Sequence, residues 1–219
     1  MREAVVKTAT VLERILEARG RVPAHRGLLV AVSGIDGSGK GYVTAQLVAA
    51  LQARGVRVAG INIDGWLNLP AVRFDPANPA EHFYRHAIRF DEMFAQMVLP
   101  LRERRSLSVE VDFAEETATE YRRQRYEFAG IDVIVLEGIY LLKRALRRHY
   151  DLSIWIECSF ATALERAIAR GQEGLSAEAT THAYQTIYFP AKERHFAYDE
   201  PQRAATLVVR NDPRLAPVG

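Results

Sequence analysis

The eight residues GIDGSGKG at 34–41 constrain this chain more than any other stretch. Gly34, Gly39 and Lys40 fit the spacing GxxxxGK, which becomes credible when a buried strand precedes it and a helix follows. Both are expected here. GLLVAVS, residues 27–33, is a continuous apolar run of the kind a strand covered on both faces requires, and a helical stretch runs on to about Arg54 before Gly55. In such a loop successive backbone N–H groups turn inward, and the helix N-terminus adds positive potential, so anions are held there. Gly34, Asp36, Gly37, Ser38, Gly39, Lys40, Gly41 and Tyr42 are therefore the candidate nucleotide-binding residues, with the Lys40 ammonium placed for the outer phosphates. Asp36 reads as a residue that shapes the loop rather than as a catalyst.

The position after Lys40 departs from the pattern. Ser or Thr normally stands there and offers its hydroxyl to Mg²⁺, whereas this chain has Gly41. Either water fills that ligand position while carboxylates hold the metal, or the loop binds phosphate without efficient turnover. The first is preferred, because Mg²⁺ ordinarily keeps several waters.

Strand-like and helical segments alternate along the rest of the chain. VRVAGINI (56–63), DVIVLEG (132–138), LSIWIECS (152–159) and ATLVVR (205–210) read as further strands, and residues 160–170 and the stretch from Ala177 as helices, with a kink at Pro190. Three prolines between 65 and 80 mark a long loop. SLSVEVDF (106–113) alternates apolar and polar residues and is expected to pair with part of 117–128 as an antiparallel ribbon. The fold class is α/β with a mainly parallel sheet. The 219 residues read as one domain, with an N-terminal helical segment in 1–26 (patterned over 2–19), a ribbon insert at 106–128 and a lid segment at 170–176.

In an open parallel sheet ligands lie beyond the carboxyl ends of the strands. Asp64 and Glu137 stand at two such ends. Asp64 suits the activation of an acceptor hydroxyl, and both acids suit a metal; the alternatives are a turn or capping Asp and a surface ion-pair Glu. Arg166 and Arg170 are four residues apart on one helix face, followed by Gly171 and Gly174. They suit a lid that brings positive charge to a transferring phosphoryl group, or simply a helix end favourable to arginine. Trp66, Phe83 and Tyr84 flank the Pro-containing loop and either line an acceptor pocket or pack the loop.

Charge limits the alternatives. Lys and Arg number 29 against 27 Asp and Glu, a formal net charge of +2, which is little for a grip on a nucleic-acid backbone. The clusters Arg102, Arg104, Arg105 and Arg122, Arg123, Arg125 are interleaved with glutamates and read as solvated faces. A single cysteine, Cys158, excludes an intrachain disulfide. The charged first thirty residues do not suit a secretory signal, and no apolar run reaches membrane-spanning length. No nucleic-acid or membrane partner and a cytoplasmic setting are expected. A homo-oligomer is left open, because the N-terminal helix could pack on the core or on a second subunit.

With these residues in view, the chain from about Gly27 to Asp212 resembles the uridine kinase and phosphoribulokinase family of P-loop kinases. GIDGSGKG, INIDGW, VIVLEGIY, LERAIAR and YQTIYFPAKERHF carry the resemblance. It implies a five-stranded parallel core, a small ribbon and a helical lid, ATP and Mg²⁺ as cofactors, and transfer of the γ-phosphoryl group to a small acceptor. It implies Lys40, Asp64, Arg166 and Arg170 as catalytic residues, Asp64 as acceptor-activating base and Glu137 as the metal-linked acid. Substrate contacts are then expected from Asp64, Trp66, Tyr84, Asp112 and Tyr184. VDFAEETATE keeps Asp112 and Phe113 but not the His and Arg that uridine kinases carry after them. By the resemblance alone, uridine or cytidine leads a group of acceptors that includes ribulose phosphate, another sugar phosphate and pantothenate. A nucleotide-binding regulator with weak catalysis is the reading from a different class, and a stand-alone ATPase is a third.

Overall fold

Alternate residues of the first strand enter two different cores, which is what burial on both faces of a sheet requires. The computed structural model describes residues 7–171 and 174–215. The first residues of the N-terminal segment, positions 172 and 173 of the expected lid, and the last four residues of the chain lie outside the described residues.

The strands are β1 (Leu28–Gly34), β2 (Val58–Asn62), β3 (Leu107–Phe113), β4 (Arg122–Phe128), β5 (Val133–Gly138), β6 (Leu152–Glu157) and β7 (Leu207–Arg210). The helices are α1 (Thr8–Arg21), α2 (Lys40–Gln52), α3 (Pro70–Arg73), α4 (Pro79–His86), α5 (Phe90–Met93), α6 (Leu99–Arg104), α7 (Phe160–Arg170), α8 (Ala177–Ala183), α9 (Phe189–Asp199) and α10 (Pro201–Ala204). Five strands form one sheet in the order β2-β5-β1-β6-β7, and β3 and β4 form a separate antiparallel ribbon. Every pairing in the large sheet is parallel. Leu28, Val30 and Val32 face a cluster with Leu47, Leu51, Val133 and Ile154, while Leu29 and Ala31 face another with Ile134, Leu136 and Trp155. The described N-terminal helix packs inward: Val11, Leu12 and Ile15 join the first cluster beside α2.

The long loop expected over 65–80 is shorter than the prolines suggested. Pro70 and Pro79 open the short helices α3 and α4, because a missing N–H costs nothing in the first helical turn. Elsewhere proline widens a helix instead of breaking it. Residues 94–98 form a π-helical turn just before Pro100, and residues 184–188 form another just before Pro190. In each case the ring would crowd the carbonyl four residues earlier, and one looser turn accommodates it. Helix therefore continues through Pro190 from α8 into α9 without a break.

The arginines of the ribbon are matched by acids. Arg122 pairs with Glu115, Arg123 with Glu110 and Asp112, and Arg125 with Glu127. Such exposed pairs contribute little to stability, because solvent and salt screen them. The ribbon is positioned more by its inner face, where Val111 is buried and Val109, Tyr126 and Phe128 pack against the core. No described helix is long and apolar enough to cross a membrane.

Candidate active site

Parallel pairing brings the carboxyl ends of the strands to one edge, and there the register decides which side chains meet. Glu137 lies level with Val32 of β1 on one side and Asn62 of β2 on the other. It stands between the start of the Gly-rich loop and the turn that carries Asp64. That turn, Ile63–Gly65, is a single 3₁₀ turn whose Asp64 N–H donates to Asn62 Oδ1 at 2.7 Å. It sits close because residue 138 is glycine: a Cβ there would lie 2.1 Å from Ile63 Cγ1.

The loop itself needs glycine at two points. Gly37 and Gly39 have φ of 73° and 82°, a region that residues with a Cβ rarely adopt. Gly39 is also crowded, since a Cβ would meet Asn211 Nδ2 at 2.2 Å. Asn211 Nδ2 donates to Ser38 O at 2.8 Å, and Arg166 Nη1 donates to Gly37 O, Ser38 O and Asn211 O at 3.0–3.3 Å. The carbonyls of Gly37 and Ser38 are thus engaged by Arg166 and Asn211, and the Ser38 N–H donates to Ile35 O at 3.2 Å within the loop.

Lys40, at the start of α2, lies 3.9 Å from the carboxylate of Glu137. Burial pushes the Glu137 carboxyl up, Lys40 opposes that, and Asp64 and Asp36 add to it. A buried acid with a raised pKa beside a cleft is a candidate functional group. The carboxyl of Asp36 behaves oppositely. Burial pushes it up, but Lys192 and then Lys40 outweigh burial and hold it below the usual carboxylate range.

These groups edge a cavity of about 600 Å³. Asp36, Gly37, Lys40, Asp64 and Arg170 line one part of it. Phe83, Phe113, Tyr126, Tyr184 and Tyr188 give it an aromatic wall, and Arg73, Glu115, Glu116 and Thr117 give it polar groups. The aromatic residues come from α4, from both ribbon strands and from the π-helical turn before α9. The guanidinium of the buried Arg73 donates to the Glu116 carbonyl.

The structure thus brings together Asp36, Gly37, Lys40, Asp64, Arg170 and Tyr184, with Glu137 behind Lys40. Other expected contacts fall elsewhere. Trp66 is fully buried, its ring under the Arg89 guanidinium at 5.3 Å, so it packs the loop and does not line the cavity. Asp112 points out of the ribbon to Arg123 at 2.8 Å. Arg166 holds loop carbonyls and does not face the cavity, unlike Arg170. Tyr42 is 67% exposed, and its hydroxyl accepts from Gln46, so its ring is turned to solvent beyond the loop.

Tyr84 is also diverted. Its hydroxyl donates to Asp199 Oδ2, which His195 Nδ1 approaches at 2.7 Å, while the Arg144 N–H donates to Asp199 Oδ1 at 2.8 Å. This network ties α4 to α9. Burial pushes the Asp199 carboxyl up, but the hydrogen bonds from His195, Tyr84 and Arg144 outweigh it and bring it from an ordinary 3.8 to about 2. A carboxyl depressed in the folded state stabilises fully above its unfolded pKa, and that contribution is lost as pH falls through the folded value. The wild type is therefore expected to lose thermal stability between about pH 4 and pH 2, and Asp199→Asn to flatten that part of a plot of Tm against pH. An unchanged slope in the variant would show that other carboxylates carry the transition.

Sequence reasoning missed Asn211 and Lys192, and the ribbon residues Phe113, Tyr126 and Glu115 to Thr117 as cavity lining. Only the Asp-Phe pair at 112–113 pointed toward the ribbon, and there it is Phe113 that faces inward.

The family profile described as phosphoribulokinase / uridine kinase matches residues 29–213. No curated protein sequence matches the chain. Among solved structures, a candidate uridine kinase from Bacillus stearothermophilus superposes with a TM-score of 0.71 at 18% identity, covering 92% of this chain and 96% of that one. A candidate fructose transport system kinase from Silicibacter sp. TM1040 gives 0.69 at 23% identity, covering 94% and 98%. D-glycerate 3-kinase from Cryptococcus neoformans gives 0.59 at 14%, covering 85% and 87%. At these identities the likeness is one of fold.

Proposed function

This chain belongs to the phosphoribulokinase / uridine kinase family of small-molecule kinases, and from that premise we propose that it transfers the γ-phosphoryl group of ATP to a hydroxyl of a neutral acceptor with a flat ring, of the uridine or cytidine type. The carrying observation is the position of Asp64, in one cavity with Lys40 and Arg170 and also with the aromatic wall of Phe83, Phe113, Tyr126, Tyr184 and Tyr188. A nucleotide's phosphates fit the loop and Lys40. An acceptor lies against the aromatic wall with its hydroxyl toward Asp64. The Asp64 carboxylate accepts the hydroxyl proton as that oxygen bonds to the γ-phosphorus, and the bond from that phosphorus to the β,γ-bridging oxygen breaks to release ADP. Arg170 adds positive charge where the transferring oxygens spread theirs.

The residues present fit Mg²⁺. Glu137 offers a buried carboxylate beside the loop and Asp64 a second one nearby. No group of three or more His, Cys, Asp and Glu that could hold a metal occurs among the described residues. Mg²⁺ supplies charge neutralisation of the phosphates when bound. A Cβ at position 41 would meet only Glu137 Oε2, at an ordinary 3.8 Å. Gly41→Ser should therefore fold normally and lower the Mg²⁺ concentration for half-maximal activity by roughly three- to tenfold. An Mg²⁺ titration of the two proteins checks this, and no change would mean that the position plays no part in metal binding.

The aromatic wall favours an acceptor with a flat ring. Glu115 and Glu116 stand at the ribbon side of the cavity together with the guanidinium of Arg73, which donates to the Glu116 carbonyl. A neutral sugar is the second reading, favoured by the same glutamates as acceptors for sugar hydroxyls. The test is a panel of nucleosides, neutral sugars, sugar phosphates and pantothenate with Mg·ATP, scored by ADP release. Stimulation by a nucleoside alone supports the proposal. Stimulation only by an anionic acceptor overturns it, and tight ATP binding without any stimulation supports a regulator.

A further inference from the structure

A carboxylate is an unexpected occupant of an anion-binding loop. The loop works by turning N–H groups and a helix N-terminus toward phosphate. Asp36 places a fixed negative charge among them. Its Oδ2 lies 3.2 Å from Nζ of Lys192, which is only 1% exposed. The same ammonium sits 3.6 Å from the centroid of the Tyr140 ring, whose face favours a cation and offsets part of its lost hydration. Tyr140 follows β5 with φ of 59°, a left-handed conformation that is uncommon for a residue with a side chain. Lys192 comes from α9, far along the chain from the loop, and does not line the cavity.

We propose that Lys192 is a positioning residue of the phosphate loop: its buried ammonium cancels the charge of Asp36 and holds that carboxylate toward α9, so that the loop meets the phosphates with net positive potential. The inference rests on the reading of the loop as an ATP site. Lys40 is shared between Asp36 and Glu137, both of which feel its charge, so it does not neutralise Asp36 alone. Burial pushes the Lys192 ammonium down and Asp36 opposes that shift, while Lys192 in turn is the main group holding the Asp36 carboxyl below its usual range. Without Lys192, the Asp36 carboxylate would confront phosphate oxygens at short range and with little screening.

The experiment measures dissociation constants of ATP and AMP by calorimetry for wild type, Lys192→Met, Asp36→Asn and the double variant, with Tm recorded for each. Lys192→Met is expected to weaken ATP about tenfold or more, and AMP less, because the penalty scales with phosphate charge. The double variant, which leaves no unpaired charge, is expected to bind ATP within about threefold of wild type, a strong departure from additivity. Its comparison with wild type stands even if Lys192→Met alone fails to fold. A double variant still about tenfold weaker overturns the inference, since Lys192 would then act on the phosphates itself. So does an equal loss for ATP and AMP, which marks a purely structural role. A wild type that binds ATP with Lys192→Met unchanged overturns this inference alone, whereas a wild type that binds no ATP overturns the kinase reading as well.

Discussion

Asp64→Asn is expected to lower acceptor-dependent kcat by about 10²–10⁴-fold while the ATP dissociation constant stays near its wild-type value. The substitution keeps size and hydrogen bonding but removes the capacity to take a proton. Asp64 is exposed to the cavity, on a turn held by Asn62 and by the close approach over Gly138, so its loss should not unfold the protein. Steady-state kinetics with the acceptor found by the panel, together with ATP calorimetry, separate the two effects. A change below threefold in kcat would remove Asp64 from the chemistry (a general base contributes about a hundredfold at least). A parallel loss of ATP affinity would show that its part in holding the metal outweighs its part in proton transfer.

The second large effect is expected at Arg170. Arg170→Ala should reduce kcat on the order of 10³-fold with little change in Tm, because the side chain lines the cavity at the end of α7. Arg170→Lys should recover only part of the loss, since a point charge replaces a planar fork. Arg166→Ala should behave differently. Its Nη1 is shared among three backbone carbonyls in and beside the loop, and hydrogen bonds from a charged donor are stronger than neutral ones. Its removal is expected to lower Tm and weaken ATP together. Identical profiles for the two variants would show that both arginines do the same work.

The contrast between these arginines indicates how far sequence could be read. Four residues on a helix place side chains on one face, which was legible, but they also separate them by about 6 Å along the axis. That rise decides that Arg166 reaches the loop carbonyls while Arg170 reaches the cavity. Phe83 and Tyr84 give a similar case. Adjacent helical positions point about 100° apart, and α4 is covered on both sides, by the cavity and by α9. Aromatic character therefore could not say which residue faces a ligand: Phe83 does, and Tyr84 is drawn to Asp199. Lys192 had no distinguishing mark, because a lysine flanked by Glu193 and Arg194 looks like any solvated helix surface.

The α/β order, the glycine-rich loop between β1 and α2, the strand-end positions of Asp64 and Glu137, and the ribbon are all legible in the chain before it folds. All of these follow from local rules: apolar runs for strands covered on both faces, glycine where φ must be positive, and alternation where one face is solvated. The partners of these residues emerge only on packing. The parallel register set Glu137 beside the loop, the ribbon supplied Phe113 and Tyr126 to the cavity, β7 delivered Asn211 behind Gly39, and α9 carried Lys192 beneath Asp36. These contacts join residues distant along the chain, and their energies depend on burial and on the distance between charges. Neither exists until the elements pack, so no pattern of neighbouring residues could have encoded them visibly.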